Sequence, residues 1–297
     1  MSWTADFWSL AEKDCSEDGS VEGVASWYCD GCSGEFVGEQ PDRVECVDKW
    51  IDDLEDMIED EDVNSSEISD IILENLLSSS ESGPGITGGG IKTLIENCQS
   101  LVDKRQDETS PEDGFEFTDN LLSSTSILVG LEVGWNEIQN DEVRYQSASD
   151  MLGFIDEVGY MFGQEKQYDG ECYTVDDTFS HDNLEMIVRT NSDDDQCFSF
   201  NTNDNTGSIC IPRSGISSNE DCPTFVSSHL LLDNTRSNIF PTTIQNTNRN
   251  ITEPSLSSNL ISLTVDNGNI IIDIEDSDSN KINVTFFHSE RFVSFIK

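Results

Sequence analysis

Basic side chains are scarce in this sequence. Its 297 residues hold 15 Lys and Arg against 60 Asp and Glu, a formal net charge of −45. A field of that sign repels phosphate backbones and anionic lipid headgroups, so nucleic-acid binding and other roles built on Lys/Arg clusters are disfavoured. The acidic excess reads as a solvated surface rather than a binding site. Histidine is nearly absent too. His181, His229 and His288 are the only three, and none stands in a metal-ligand spacing such as H-E-x-x-H. The G-x-S-x-G elbow of a serine hydrolase is missing. No run reaches the roughly eighteen apolar residues of a transmembrane helix. Met1 to Cys15 lack the basic segment and apolar run of a signal peptide. No catalytic, cofactor-binding or metal-ligating residue is expected, and no cofactor.

What is present points to a folded extracellular chain. Hydrophobic residues make up 35% of the sequence and fall in periodic blocks, which separates the chain from disordered acidic proteins. Its length exceeds the roughly 100–200 residues of one core, so two or three domains are expected. Nine cysteines, at 15, 29, 32, 46, 98, 172, 197, 210 and 222, imply an oxidising compartment and several disulfides. Because nine is odd, at least one thiol stays free or bonds another chain. Asn-x-Ser/Thr sequons at Asn64, Asn250 and Asn283 agree with secretion and are candidate glycosylation sites. An extracellular body with neither leader nor anchor reads as part of a longer protein.

Residues 1–46 carry Trp3, Phe7, Trp8, Trp27, Tyr28, Cys15, Cys29, Cys32 and Cys46 among glycines. So short a segment buries little core, and aromatic and disulfide packing must hold it. Cys29-Asp30-Gly31-Cys32 has the spacing of a redox pair or half a zinc site. No second such pair follows, no His lies near, and the acidic neighbours oppose the thiolate either role needs.

Residues 47–163 carry helical periodicity. Val47, Trp50, Ile51, Leu54, Met57 and Ile58 step by three and four and mark a first helix. Asn64, Ser65 or Ser66 caps a second, through Ile68, Ile71, Ile72, Leu76 and Leu77, which stops in the run from Ser78 to Gly90. That run holds Gly85-Ile86-Thr87-Gly88-Gly89-Gly90-Ile91-Lys92-Thr93. It fails as a phosphate-binding loop, because Ile91 separates the last glycine from Lys92 and no strand precedes it. A flexible connector is expected there. A third helix runs through Ile91, Leu94, Ile95, Cys98, Leu101 and Val102, with Cys98 a buried free thiol. Further stripes through Leu121, Leu122, Ile127, Leu128 and Leu131, and from Val143 to Phe162, give four to six helices in all.

From 164 to 297 the pattern becomes short apolar runs punctuated by Asn, Asp, Gly and Ser, from Glu185–Arg189 to Phe292–Ile296. Such runs indicate an antiparallel sandwich. Around the turn Asn201 to Gly207, Cys197 and Cys210 are expected to face each other on paired strands at a separation that suits a disulfide. Asp276-Ser277-Asp278-Ser279-Asn280 opens like a calcium loop. Lys281 and Phe287 stand where that loop needs Gly and Glu, so a solvated turn is expected.

Cys15, Gly19, Gly23-Val24-Ala25-Ser26-Trp27-Tyr28-Cys29, Phe36, Pro41-Asp42 and Cys46, followed by Trp50, resemble the end of a hormone-receptor-type extracellular module. Ala148 to Glu157 resembles the helical half of a GPCR autoproteolysis-inducing (GAIN) domain. Asn183 to Met186, Phe198 to Pro212, Ser257 to Ser262 and Ile282 to His288 resemble its β-sandwich half. The resemblance is to latrophilin-like adhesion G protein-coupled receptors and covers nearly the whole chain. It implies an α+β fold in three parts: a partial cysteine-rich module over 1–46, an all-α helical subdomain over 47–163, and an incomplete antiparallel β-sandwich subdomain over 164–297. It pairs Cys15 with Cys46, leaving Cys29 to Cys32 or to nothing. It further implies a plasma-membrane protein whose partners are an extracellular protein ligand and the transmembrane region of the same receptor. The family's cleavage tripeptide, His-Leu-Ser/Thr, falls in a later Cys/Trp-rich segment, and His288 matches an earlier strand end, so no self-cleavage is expected of these residues. The alternative is a free-standing secreted acidic binding or decoy protein without signalling.

Overall fold

The structure, a computed structural model, describes residues 9–16, 19–30, 35–37, 41–82, 85–108, 114–165, 175–190, 197–201, 207–212, 224–230, 239, 260–265 and 283–286. The fold is mixed α+β, with six helices and small antiparallel sheets among the described residues. Two compact units divide the chain: Met1–Ile155 with Leu232–Ser257, and Asp156–Leu231 with Ser258–Lys297.

The first unit opens with short strands, for which sequence analysis of residues 1–46 gives no pattern. β1 (Leu10–Asp14) pairs antiparallel with β3 (Val24–Asp30), and β3 with β4 (Glu35–Phe36), while β2 (Val21–Glu22) pairs with β5 (Val47–Asp48). The strands escape the periodicity test because their buried positions are Ala11, Ala25 and Cys29, too small to register as an apolar stripe. Trp27 stacks on Phe36 with ring centroids 4.7 Å apart, and its indole N–H donates to the Val37 carbonyl at 2.9 Å.

Helices α1 (Lys49–Glu59), α2 (Ser65–Ser82), α3 (Gly88–Asp107), α4 (Gly114–Gly130) and α5 (Glu132–Glu137) follow. The third stripe is buried as periodicity requires: Ile91, Leu94, Ile95, Cys98, Leu101 and Val102 all face the core. Asn64 is the cap of α2, its Oδ1 accepting from the Glu67 N–H at 2.8 Å. Three expectations are corrected. Val47 pairs in β5 and does not start α1. Leu77 is 45% exposed, because Ile68, Ile72 and Leu76 already fill the buried side of α2. Leu131 precedes the short helix α5, whose anchor is the buried Trp135; its indole N–H donates to the Leu128 carbonyl at 2.9 Å.

α6 (Asp141–Glu165) runs from the first unit into the second. There β6 (Val175–Ser180), β7 (Leu184–Thr190), β10 (Thr224–Leu230) and β11 (Leu260–Val265) form one antiparallel sheet in the order β11-β10-β7-β6. β8 (Cys197–Asn201), β9 (Gly207–Pro212) and β12 (Asn283–Phe286) form another in the order β12-β9-β8. Pairing sets Val226 opposite Val188 and Ser228 opposite Met186, so period-two alternation puts all four on one face. The end of α6 packs there: Ser228 Oγ donates to Asp156 Oδ1 at 2.9 Å, and Phe162 meets Phe179 edge-on at 5.1 Å. β6, absent from the sequence reading, is an end strand whose Asp176 and Asp177 disguise it. The runs Ile270–Ile274 and Phe292–Ile296 and the Asp276 turn lie outside the described residues.

Helix α6 reaches the sheet at Gly159. A Cβ there would sit 2.5 Å from Val226 Cγ1 and 2.7 Å from Met186 Sδ. Gly159→Val should therefore destabilise the second unit by about 1–3 kcal/mol through overpacking. The check is a lower urea midpoint with an unchanged slope; an unchanged midpoint would mean that the helix does not rest on this face.

Candidate functional site

The glycine run that sequence reasoning reads as a connector forms the start of α3, beside the disulfide-bonded Cys46. Four residues at a helix N-terminus carry N–H groups without intrahelical partners, and when the end is buried each must find an acceptor. Thr87 and Gly88 to Gly90 are all buried. Their N–H groups are nevertheless satisfied, each from a different source. Thr87 N–H donates to Asp48 Oδ2 at 3.0 Å, Gly88 to Glu137 Oε2 at 3.1 Å, Gly89 to the Arg43 carbonyl at 3.0 Å, and Gly90 back to Thr87 Oγ1 at 3.1 Å. The Thr87 hydroxyl also contacts the Cys46 carbonyl oxygen and, at 3.0 Å, Asp48 Oδ2.

The acceptors are themselves pinned. Arg43 donates through its guanidinium to Glu137 Oε1 at 2.7 Å and through its backbone N–H to the Glu137 carbonyl at 3.0 Å. Cys46 N–H donates to the Arg43 carbonyl at 3.0 Å, closing a turn, and Cys46 is bonded to Cys15 across a Cα separation of 5.7 Å, within the usual disulfide range. Cys15, Ala25 and Cys46 form a small buried cluster with Val21 packed against it. The bridge joins the two cysteines that the resemblance pairs.

The glycine run is thus no flexible connector. It is the buried first turn of α3, and glycine is present because the module's backbone comes too close for a side chain. A Cβ on Gly89 would lie 2.3 Å from the Cys46 carbonyl oxygen and 2.6 Å from that of Val44. The helix-start signal is Thr87, a good cap four residues before the first apolar residue of the stripe, Ile91; the three glycines between them mask it by reading as a loop. Nothing in the sequence marks Arg43, Asp48 or Glu137 as its partners.

The remaining candidates are scattered. Cys29 is buried on β3 without a disulfide, opposite Phe36, and Cys32 lies outside the described residues. β8 and β9 do pair around the expected turn, but in a register that sets Cys197 opposite Pro212 and Cys210 opposite Ser199. The two cysteines are therefore displaced by two positions rather than directly opposed, and their side chains lie outside the described ones. Asn64 caps α2, Asn283 is the first residue of β12 opposite Cys210, and Asn250 is not described. Among the described residues no group of three His, Cys, Asp or Glu is placed to hold a metal ion, and no helix is long and apolar enough to cross a membrane. The chemistry of this site is that of a joint: charge pairing and backbone hydrogen bonding behind a disulfide.

Two outcomes follow from this geometry. In an ordinary helix Gly→Ala stabilises by about 1 kcal/mol; at Gly89 the methyl meets immovable backbone, so Gly89→Ala should instead cost about 1–3 kcal/mol, read as a lower denaturant midpoint. A raised midpoint would show that the module does not press on α3. Burial pushes the Cys98 thiol up to about 12, so native protein at pH 8 should leave Cys98 unlabelled by iodoacetamide, with labelling only after unfolding. The same burial ties stability to pH: the neutral thiol's contribution is complete below the ordinary thiol range and is lost as pH rises toward 12, because the unfolded chain ionises first. Rapid native labelling would contradict the buried placement.

Compared with protein-family models and with the sequences of curated proteins, the chain matches none, so the reading of this site rests on its own residues.

Proposed function

We propose that this chain is the extracellular region of an adhesion-type G protein-coupled receptor: a cysteine-rich module, a helical subdomain and a β-sandwich subdomain of the GAIN kind. Its work is recognition and mechanics rather than catalysis, with the module presenting a surface to an extracellular protein ligand and the sandwich holding a segment that leads to the transmembrane region. The observation that carries this reading is the order of parts within the chain. A disulfide-closed module of short strands ends at Cys46, α1 begins three residues later, and antiparallel strands take over after α6. Two antiparallel sheets in the second unit, β11-β10-β7-β6 and β12-β9-β8, support the sandwich assignment. The Cys15–Cys46 bridge supports an oxidising compartment.

The test is to sequence the source transcript beyond both ends of this reading frame. A leader upstream, with a Cys/Trp-rich segment and seven apolar spans downstream, is the expected result. A stop codon directly after Lys297 would overturn the receptor reading, and with an upstream leader would favour a free secreted binding protein.

A further inference from the structure

We propose that Asn64 carries an N-linked glycan, mounted on the cap of α2 without disturbing it. The inference rests on the extracellular reading above and adds a site of modification to it. The sequon Asn64-Ser65-Ser66 lies at the turn between α1 and α2, where Asp60, Glu61, Asp62 and Asn64 are all exposed. The two ends of the Asn64 amide face different tasks. Oδ1 accepts from the Glu67 N–H at 2.8 Å and the backbone carbonyl accepts from Ile68 at 3.3 Å, while Nδ2, the atom that glycosylation uses, has no protein partner among the described residues. In the transfer, Nδ2 attacks C1 of the first sugar of a polyprenyl-diphosphate-linked oligosaccharide. The C–N bond forms, the C1–O bond breaks with its electron pair leaving on the diphosphate, and one amide proton passes to a base of the transferase. The product is a secondary amide that keeps Oδ1 as an acceptor, so the cap survives.

The rest of the sequon sets the timing. A transferase must engage the hydroxyl two residues beyond the asparagine. In the folded chain Ser66 Oγ accepts from Arg105 at 3.1 Å, while Ser65 is fully buried and bonds Glu108 through its N–H at 2.8 Å and its hydroxyl at 2.9 Å. Arg105 lies 39 residues after Ser66, and Glu108 lies 43 after Ser65. The sequon therefore enters the lumen ahead of the groups that lock it, and modification belongs to the nascent chain.

The experiment expresses the full chain behind a cleavable secretory signal in cells that glycosylate asparagine. The purified protein is treated with peptide N-glycosidase in heavy-oxygen water, and each sequon is read by mass spectrometry. The expected result is a heavy-oxygen aspartate at residue 64, its loss in Ser66→Ala, and a melting temperature for the glycoprotein equal to that of Asn64→Asp, which caps equally well without a glycan. Asn64→Ala, with neither cap nor glycan, should melt lower than both. An unmarked residue 64 with Asn250 or Asn283 marked would overturn this site while leaving secretion intact. No marked sequon together with free thiols at Cys15 and Cys46 would overturn both readings. A marked Asn64 whose glycoprotein melts as low as Asn64→Ala would overturn the claim that the cap is kept.

Discussion

The buried start of α3 is the constraint on which the first unit depends. A helix end taken out of water leaves donors that each cost about 1–3 kcal/mol if unmet, and here the acceptors come from α5, from β5 and from the turn that ends in Cys46. None of these can move without orphaning a donor. The disulfide reinforces the arrangement through the unfolded state: closing a separation of 31 residues contributes roughly 3–4 kcal/mol in the chain-entropy account. Glycine makes the close approach sterically available, and Thr87 fixes where the helix begins.

The same economy governs the few cations. With 15 of them among 60 acids, random placement would leave most at exposed carboxylates, where an ion pair is worth little. Several instead close gaps in the backbone. Lys104 donates to the Ile58 and Asp60 carbonyls at 2.9 and 2.6 Å, meeting the negative end of α1. Arg105 is buried against the Ser65 and Ser66 hydroxyls with the Phe117 ring 4.9 Å away, so it ties the end of α3 to the starts of α2 and α4. Arg43 serves the joint itself. Lys49 shows the ordinary case: exposed, and held above the usual lysine range by Asp53 and then Glu22. The acidic surface and the structural cations are thus separate populations, and salt that screens the first leaves the buried members of the second largely untouched.

How much of this the sequence discloses depends on whether a residue's reason is local. The α3 stripe and the later blocks of α6 are legible because one face of a helix is buried along its length. The strands around Cys197, Cys210 and Leu260 are legible because alternation and turn residues are local. The module's strands, β6 and α5 are not, since their buried positions are alanine and cysteine, their exposed ones are acidic, or their length is a single turn and a half anchored by Trp135. The site is the extreme case. Gly88 to Gly90 have every local property of a linker, and only the approach of Cys46, 43 positions before Gly89 in the numbering, makes them a helix start. Arg43 and Glu137 stand 94 residues apart, a separation at which no pattern of spacing carries information.

That misreading has a functional corollary. A glycine-rich connector would uncouple the module from the helices, since such segments behave as flexible chains. The packed arrangement does the opposite. Displacing β5 drags Asp48 from the Thr87 N–H, and displacing the Cys46 turn drags the Arg43 carbonyl from Gly89 and strains a turn already tied to Cys15. A displacement of the module therefore enters α3 at its first turn instead of being absorbed in a hinge.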